Sequence, residues 1–121
     1  MKTVLLIEDN LDVRETTMEI LELAGFKVLA ANNGKEGIIE AVNSKPDIIL
    51  CDILMPELNG YEVIKQLKNN PETASIPFIY VTASGEKNEV KLAMAMGANG
   101  YIRKPFESSE LVSAINQNIK N

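Results

Sequence analysis

The sequence predicts an α/β domain in which five parallel strands form a sheet covered by helices on both faces. The length of 121 residues suits one domain, which we expect to span residues 1–121. Short aliphatic or β-branched runs alternate with helical apolar patterns along the chain. Strict alternation of strand and helix implies right-handed crossovers, and these make the strands parallel.

Five strands are predicted from apolar runs bounded by Gly, Pro, Asn or Asp. In chain order the runs are Thr3–Ile7, Phe26–Ala31, Asp47–Cys51, Phe78–Thr82 and Gly100–Arg103. The first, third and fourth runs are apolar without alternation, which is typical of strands buried on both faces. The second and fifth contain the charged residues Lys27 and Arg103, and we therefore expect these two strands at the sheet edges.

Five helices are predicted from apolar residues that recur at helical spacing. Those residues are Val13, Thr17, Ile20, Leu21 and Ala24; Ile38, Ala41 and Val42; Tyr61, Ile64 and Leu67; Val90, Ala93 and Met94; and Leu111, Val112, Ile115 and Ile119. The dipeptide Asn33-Gly34 is interpreted as a turn. Each helical pattern follows one of the predicted strands.

Helix ends are predicted from residues that satisfy or redirect the terminal backbone. Asn10, Asn59 and Ser108 carry side chains that accept hydrogen bonds from the first turn of a helix, so we expect them at helix starts. Gly25 and Gly97 stand where a left-handed conformation ends a helix. The predicted caps agree with the division into strands and helices.

The composition excludes several classes of protein. The chain has no histidine, which excludes a Ser-His-Asp or Cys-His triad. Cys51 is the single cysteine, so an internal disulfide is impossible, and we expect a reducing, cytoplasmic location. The net charge of −5 argues against direct binding to nucleic acid. No apolar run is long enough to cross a membrane, and we expect no membrane association.

Chemically active side chains follow four of the predicted strands. Glu8 and Asp9 follow the first, Asp52 the third, Thr82 ends the fourth, and Lys104 follows the fifth. Because function in an open parallel sheet collects at the carboxyl ends of the strands, we expect these groups to meet at one edge. The predicted cluster combines three carboxylates, one hydroxyl and one ammonium group.

Three neighbouring carboxylates require a positive partner, because each raises the pKa of the others. A divalent cation together with Lys104 would neutralise them. Oxygen ligands without histidine or thiolate favour a hard ion, and Mg²⁺ is the predicted cofactor. Asp52 could then act as a nucleophile and form an aspartyl phosphate, with Lys104 and Thr82 contacting the phosphoryl oxygens.

These residues occur with motifs that extend the pattern over nearly the whole chain. The motifs are Glu8-Asp9, Asp52, Met55-Pro56, Gly60, Thr82-Ala83, Tyr101 and Lys104-Pro105-Phe106. With them, the sequence from Lys2 to Lys120 resembles the receiver domain of the two-component response regulator family. The resemblance implies the flavodoxin-like strand order 2-1-3-4-5 with five helices.

The resemblance also implies how the acidic residues divide their roles. Asp9 and Asp52 would bind Mg²⁺ directly, Leu54 would contribute its backbone carbonyl, and Glu8 would act through water. Asp52 would be the phosphoacceptor for a histidine kinase or a phosphotransfer protein. Lys104 would pair with the phosphoryl group and precede a cis proline.

A switch between Thr82 and Tyr101 is implied in the same way. Thr82 would move toward a phosphoryl group on Asp52, and the Tyr101 ring would fill the vacated space. The signal would reach the face formed by the fourth helix, fifth strand and fifth helix. The partner would be a downstream protein or an output domain beyond this sequence. The domain would assist its own phosphorylation and dephosphorylation without being an enzyme for other substrates.

Three alternatives belong to other functional classes. The first is a receiver-like interaction module that works without phosphorylation, although the intact acidic cluster argues against it. The second is a flavin-binding protein, in which Glu8 and Asp9 would repel the cofactor's phosphate. The third is an aspartyl-phosphate phosphatase, which usually carries a second carboxylate where this chain has Leu54.

Overall fold

The computed structural model describes residues 1–83 and 87–119, and within them five strands alternate with five helices. The strands are Thr3–Ile7 (β1), Lys27–Ala31 (β2), Ile48–Asp52 (β3), Phe78–Thr82 (β4) and Gly100–Arg103 (β5). The helices are Leu11–Leu23 (α1), Gly34–Ser44 (α2), Gly60–Lys68 (α3), Lys87–Ala95 (α4) and Ser108–Asn118 (α5). No helix of the described residues is long and apolar enough to span a bilayer.

The strands form one parallel sheet in the order β2-β1-β3-β4-β5, which confirms the predicted fold. As predicted, β2 and β5 are the edges, and their charged residues Lys27 and Arg103 are exposed. β3 was expected at Asp47–Cys51 but is shifted by one residue. Asp47 uses its carboxylate to accept a hydrogen bond from the Thr3 amide (2.7 Å), while Asp52 pairs in register with Val81.

Two buried clusters cover the two faces of the sheet. One contains the β1 residues Leu5 and Ile7 together with side chains from α2 and α3. The other contains Val4 and Leu6 together with side chains from α1 and α5. Alternate residues of each central strand enter opposite clusters, because successive side chains of a strand point to opposite faces. Helices therefore cover both faces of the sheet, and the buried polar residues Glu8, Asp52 and Thr82 lie at its carboxyl edge.

Two of the three predicted N-caps are confirmed. Asn10 and Asn59 precede α1 and α3, and each side chain accepts a hydrogen bond from an amide of the first turn. Ser108 is the first residue of α5, so the prediction that it caps this helix is wrong. The cap is Glu107, whose amide donates to the Glu110 carboxylate (3.0 Å). The Glu110 carboxylate, in the first turn of the helix, thus satisfies the amide of the cap residue.

The left-handed glycines are also confirmed, with φ of +94° at Gly25 and +108° at Gly97. The prediction of a turn at Asn33-Gly34 is wrong, because α2 begins there. Asn33 is the N-cap and accepts a hydrogen bond from the Glu36 amide (2.8 Å), and Gly34 is the first helical residue. Asn-Gly is a common turn sequence, but an asparagine followed three residues later by glutamate also fits a helix start.

Gly37 lets α2 approach β1 closely. A Cβ atom at this position would collide with Ile7 Cδ1 and lie 2.7 Å from Ile7 Cγ1. Both residues are buried, so the Ile7 side chain cannot turn outward to relieve the contact. Ile7 immediately precedes the residues Glu8 and Asp9, which we call the acidic segment. The distance between α2 and β1 therefore affects where this segment begins.

We expect Gly37→Ala to lower the free energy of unfolding by about 1–3 kcal/mol, because overpacking outweighs the gain in helix propensity of about 1 kcal/mol. Urea denaturation measures the change. Ile7→Val removes Cδ1 and should relieve part of the collision. The double variant should then lose about 1 kcal/mol less than the sum of the single variants. Strictly additive losses would show that the two residues do not clash.

Candidate functional site

Three carboxylates meet at the carboxyl edge of the sheet. Glu8 and Asp9 follow β1, and Asp52 is the last residue of β3, which lies beside β1. One carboxylate oxygen from each residue lies within 4.8 Å of the others. Glu8 and Asp52 are only 2% and 8% exposed, whereas Asp9 is exposed. The cluster is a shallow acidic pocket with one open side.

Lys104 supplies the positive charge of this pocket. Its Nζ lies 2.6 Å from Glu8 Oε1 and 3.5 Å from Asp52 Oδ2. The main chain after β5 is tied to the end of β4, since the Lys104 amide donates to the Thr82 carbonyl (2.7 Å). The Lys104–Pro105 peptide bond is cis, as the resemblance implies. The ammonium group thus reaches across the sheet edge from β5 to β1.

Backbone amides complete the hydrogen bonding of the two buried carboxylates. The Asn10 amide donates to Glu8 Oε2 (3.2 Å), and the Leu54 amide donates to Asp52 Oδ1 (3.4 Å). Both oxygens of Glu8 are therefore occupied. The Asp9 carboxylate accepts no hydrogen bond from residues 1–83 or 87–119, which leaves it available to a ligand.

Burial and neighbouring charges shift the pKa values of the two buried carboxylates in opposite directions. Burial, and then the negative charge of Glu8, raises the pKa of Asp52 to about 6. Burial also acts to raise the pKa of Glu8, but the hydrogen bond and charge of Lys104 outweigh it, and the net pKa is lowered. Glu8 is the firmly ionised partner of Lys104. The negative charge of Asp52 is only partly neutralised by the more distant Lys104 ammonium group.

The neighbouring Cys51 does not take part in this chemistry. The residue is fully buried, and burial together with the charge of Asp52 raises the pKa of its thiol well above the ordinary value. Cys51 donates instead to the carbonyl of Asp52 (3.2 Å). A protonated, enclosed thiol is neither a nucleophile nor a metal ligand.

The donor set fits a hard divalent cation. Three carboxylates and one ammonium group leave two negative charges at the pocket. The oxygen ligands and the exposed Asp9 suit an ion such as Mg²⁺ that is bound by few protein groups and keeps several waters. The charge and the ligand chemistry therefore agree with the predicted cofactor.

The remaining predicted residues lie around the pocket at different depths. Thr82 is the last residue of β4 and is 2% exposed. Leu54 follows Asp52, with its side chain in solvent. Tyr101 lies outside the acidic pocket, in edge strand β5, and is 47% exposed. The structure brings Glu8, Asp9, Asp52 and Lys104 together, places Thr82 at the end of the neighbouring strand β4, and places Tyr101 on the edge strand β5.

Sequence reasoning missed Arg14. This half-buried α1 residue donates from Nη1 to the main-chain carbonyl of Glu8 (3.0 Å). The available signal was its place in the sequence, between Val13 and Thr17 of the apolar α1 pattern. An arginine beside the buried stripe of a helix can reach an inward-facing polar group with its long stem.

Comparison with known proteins agrees with this geometry. The sequence model described as response regulator receiver domain matches residues 4–116. Response regulator SaeR of Staphylococcus aureus is 37% identical over 116 residues, which are 96% of this chain and 50% of SaeR. The chain thus spans about half the length of the curated relatives it matches.

Solved structures show the same fold over whole chains. The chemotaxis protein CheY4 of Vibrio cholerae superposes with a TM-score of 0.94 at 26% identity, covering 98% of this chain and 99% of CheY4. The signal receiver domain of a signal transduction histidine kinase from Syntrophus aciditrophicus superposes with a TM-score of 0.88 at 31% identity, covering 97% and 89%. From the match over residues 4–116 and these relatives, the chain belongs to the response regulator receiver domain family of two-component systems.

Proposed function

We propose that this receiver domain is a Mg²⁺-dependent phosphoacceptor, in which Asp52 takes a phosphoryl group from a histidine kinase or a phosphotransfer protein. The observation that carries the proposal is the buried Asp52 carboxylate beside Lys104 and two further carboxylates. The complete set of groups favours this function over an interaction module that works without phosphorylation. Such a module would have no need for a buried, incompletely neutralised carboxylate.

Asp52 acts as the nucleophile. A pKa of about 6 leaves about nine tenths of this carboxylate ionised at pH 7. One of its oxygens attacks phosphorus, an O–P bond forms, and the P–N bond of the donor's phosphohistidine breaks. The imidazole nitrogen keeps the electron pair of that bond and takes a proton from solvent. The product is an acyl phosphate on Asp52.

Lys104 and Thr82 stabilise the transferred group. Lys104 Nζ already lies 3.5 Å from Asp52 Oδ2, so a small movement brings it to a phosphoryl oxygen. Thr82 carries a hydroxyl at the end of the adjacent strand β4 and can donate to a second oxygen. Two charge-assisted hydrogen bonds of this kind hold the acyl phosphate in one orientation.

Asp9, Asp52 and the Leu54 carbonyl would hold Mg²⁺ directly, and Glu8 would hold it through water. The bound ion supplies charge neutralisation for the phosphoryl oxygens. Glu8 is suited to the indirect role because Lys104 and the Asn10 amide occupy its two oxygens. Asp9 is suited to direct binding because it is exposed beside the pocket.

Phosphorylation would be read out through Thr82 and Tyr101. When Thr82 moves toward the phosphoryl group, the Tyr101 ring moves inward from its exposed position on β5. The changed surface is the one formed by α4, β5 and α5. A nearly complete shift between two states requires a differential stabilisation of about 5 kcal/mol, which a few charge-assisted hydrogen bonds can supply.

The receiver identity implies a phosphoryl donor and a recipient of the signal. The donor would be a cytoplasmic histidine kinase domain or phosphotransfer protein, and this domain would act in the same compartment. The recipient would be a downstream protein or an output domain outside this sequence. The domain itself would assist phosphorylation and dephosphorylation of Asp52 and would turn over no other substrate.

The first test of this function is phosphorylation by a small donor. Acetyl phosphate should add the mass of one phosphoryl group to the intact protein when Mg²⁺ is present, and chelation should abolish the gain. Asp52→Asn should gain no mass, because its amide is not a nucleophile. Asp12→Asn, at an exposed α1 carboxylate, is the matched control and should behave as wild type. Equal labelling of Asp52→Asn would place the acceptor elsewhere.

The raised pKa of Asp52 predicts a pH-dependent stability. Its pKa is about 6 in the folded protein against the ordinary value of 3.8, so the folded state retains a proton over this interval. The free energy of unfolding is therefore unaffected by Asp52 below this pH interval. It falls as the pH rises through the interval, because the folded state then has to carry a buried negative charge. Metal-free Asp52→Asn should therefore exceed wild type at pH 7 by about 1 kcal/mol, after allowance for solvent screening at the open pocket.

Urea denaturation at pH 4 and pH 7 measures this difference, which should nearly vanish at pH 4. Adding Mg²⁺ at pH 7 should stabilise wild type more than Asp52→Asn, since the variant lacks one ligand. Asp12→Asn again serves as the control and should show neither effect. If the gain in free energy of unfolding in Asp52→Asn is larger at pH 4 than at pH 7, the ionised Asp52 carboxylate is not the cause of the difference.

The switch predicts a change around one tyrosine. The chain has three tyrosines, and Tyr101→Phe identifies the ring signals of Tyr101 in an NMR spectrum. Phosphorylation of Asp52 should shift those signals. Thr82→Ala should still be phosphorylated but leave Tyr101 nearly unshifted, because the hydroxyl that moves is absent. Thr82→Ser retains the hydroxyl and should retain the shift. If the Tyr101 signals still shift fully in phosphorylated Thr82→Ala, the movement of Tyr101 does not depend on the Thr82 hydroxyl.

A further inference from the structure

Arg14 is bound to the main chain of the acidic segment. Its Nη1 donates to the Glu8 carbonyl at 3.0 Å, although the two residues are six positions apart in the chain. Arg14 lies in α1 and is half-buried, so its guanidinium approaches the segment from the helix side. The Glu8 carbonyl belongs to the peptide unit that leads into Asp9. A hydrogen bond to it fixes the plane of that peptide unit.

The bond from Arg14 matters because it helps to hold the backbone at Asp9. Glu8 is held at its amide by the Ala31 carbonyl (3.0 Å) and at its carboxylate by Lys104 (2.6 Å). The Asp9 side chain, in contrast, receives no hydrogen bond from the part of the chain that the structure describes. Its direction therefore depends on the backbone on which it is mounted. Arg14 holds this backbone together with the start of α1 at Asn10, whose amide donates to the Glu8 carboxylate.

The charge of Arg14 has the opposite effect from its hydrogen bond. A positive charge near the pocket repels a divalent cation, so a purely electrostatic Arg14 would weaken Mg²⁺ binding. A hydrogen bond that aligns Asp9 with Asp52 would strengthen Mg²⁺ binding. The two roles predict opposite signs when Arg14 is removed, and a single measurement distinguishes them.

We infer that Arg14 is a positioning residue for the metal site, holding the Glu8–Asp9 peptide so that the Asp9 carboxylate faces Asp52. The inference rests on the proposed function, because it assumes that the pocket takes Mg²⁺. Arg14 contacts neither the ion nor the phosphoryl group in this role. It acts through the carbonyl of Glu8.

The first measurement is calorimetric titration of Mg²⁺ into the purified full chain. Arg14→Met removes the hydrogen bond and the charge, and we expect its Mg²⁺ affinity to fall about tenfold. Arg14→Lys keeps the charge with a single flexible donor and should lie between Arg14→Met and wild type. Lys27→Met removes an equal charge at an exposed site at the start of β2, and it is the control expected to match wild type.

The second measurement needs no metal. In the metal-free protein, exchange of the Asn10 amide, which donates to Glu8 Oε2, should be faster in Arg14→Met than in wild type, while exchange in β3 and β4 stays unchanged. Unchanged exchange in β3 and β4 also shows that the variant is folded. If Arg14→Met fails to fold, the comparison of Arg14→Lys with wild type provides both readouts.

The outcomes separate the two proposals. Weaker Mg²⁺ binding together with faster exchange at Asn10 supports the positioning role. Mg²⁺ binding by Arg14→Met that equals or exceeds that of wild type, or unchanged exchange at Asn10, overturns it. If wild type binds no Mg²⁺ while exchange at Asn10 still rises, the metal-dependent function fails and Arg14 remains a support of the Glu8–Asp9 backbone.

Discussion

The ion pair between Lys104 and Glu8 is the interaction on which the acidic pocket depends. It joins residues 96 positions apart and links the end of β5 to the end of β1 across the carboxyl edge of the sheet. Without this ammonium group, three carboxylates would stand together with no counter-charge among the side chains of residues 1–83 and 87–119 that contact them. A buried charge left unpaired costs several kcal/mol. Folding of the sheet brings Lys104 to Glu8, and the resulting ion pair in turn stabilises the folded sheet.

The ion pair also explains why the carboxylates differ although their side chains are nearly equivalent chemically. Lys104 lies closer to Glu8 than to Asp52, and the pKa of Glu8 is lowered while that of Asp52 is raised. One carboxylate is saturated with hydrogen bonds, one is exposed, and one is buried and incompletely compensated. Such a division gives each residue a separate chemical role within a few ångströms.

Local patterns were sufficient to predict the five strands, the two sheet edges and the convergence of Glu8, Asp52 and Lys104, whereas the strand order came from the family resemblance. The errors arose where one local signal had two meanings, as at Asn33-Gly34 and Ser108, which are a helix start and a first helical residue. Arg14 could not be found this way. Its bond to a main-chain carbonyl depends on how α1 packs against the sheet, which residue spacing does not encode.

The distribution of the pocket along the chain has a consequence for synthesis of the protein. Its side chains follow β1, end β3 and β4, and follow β5, so they range from Glu8 to Lys104. A nascent polypeptide leaving the ribosome exposes the acidic residues long before the lysine that neutralises them. The domain folds as a unit. A chain that stops before Lys104 therefore lacks the counter-charge of the acidic pocket, and the complete pocket exists only after most of the domain has been synthesised.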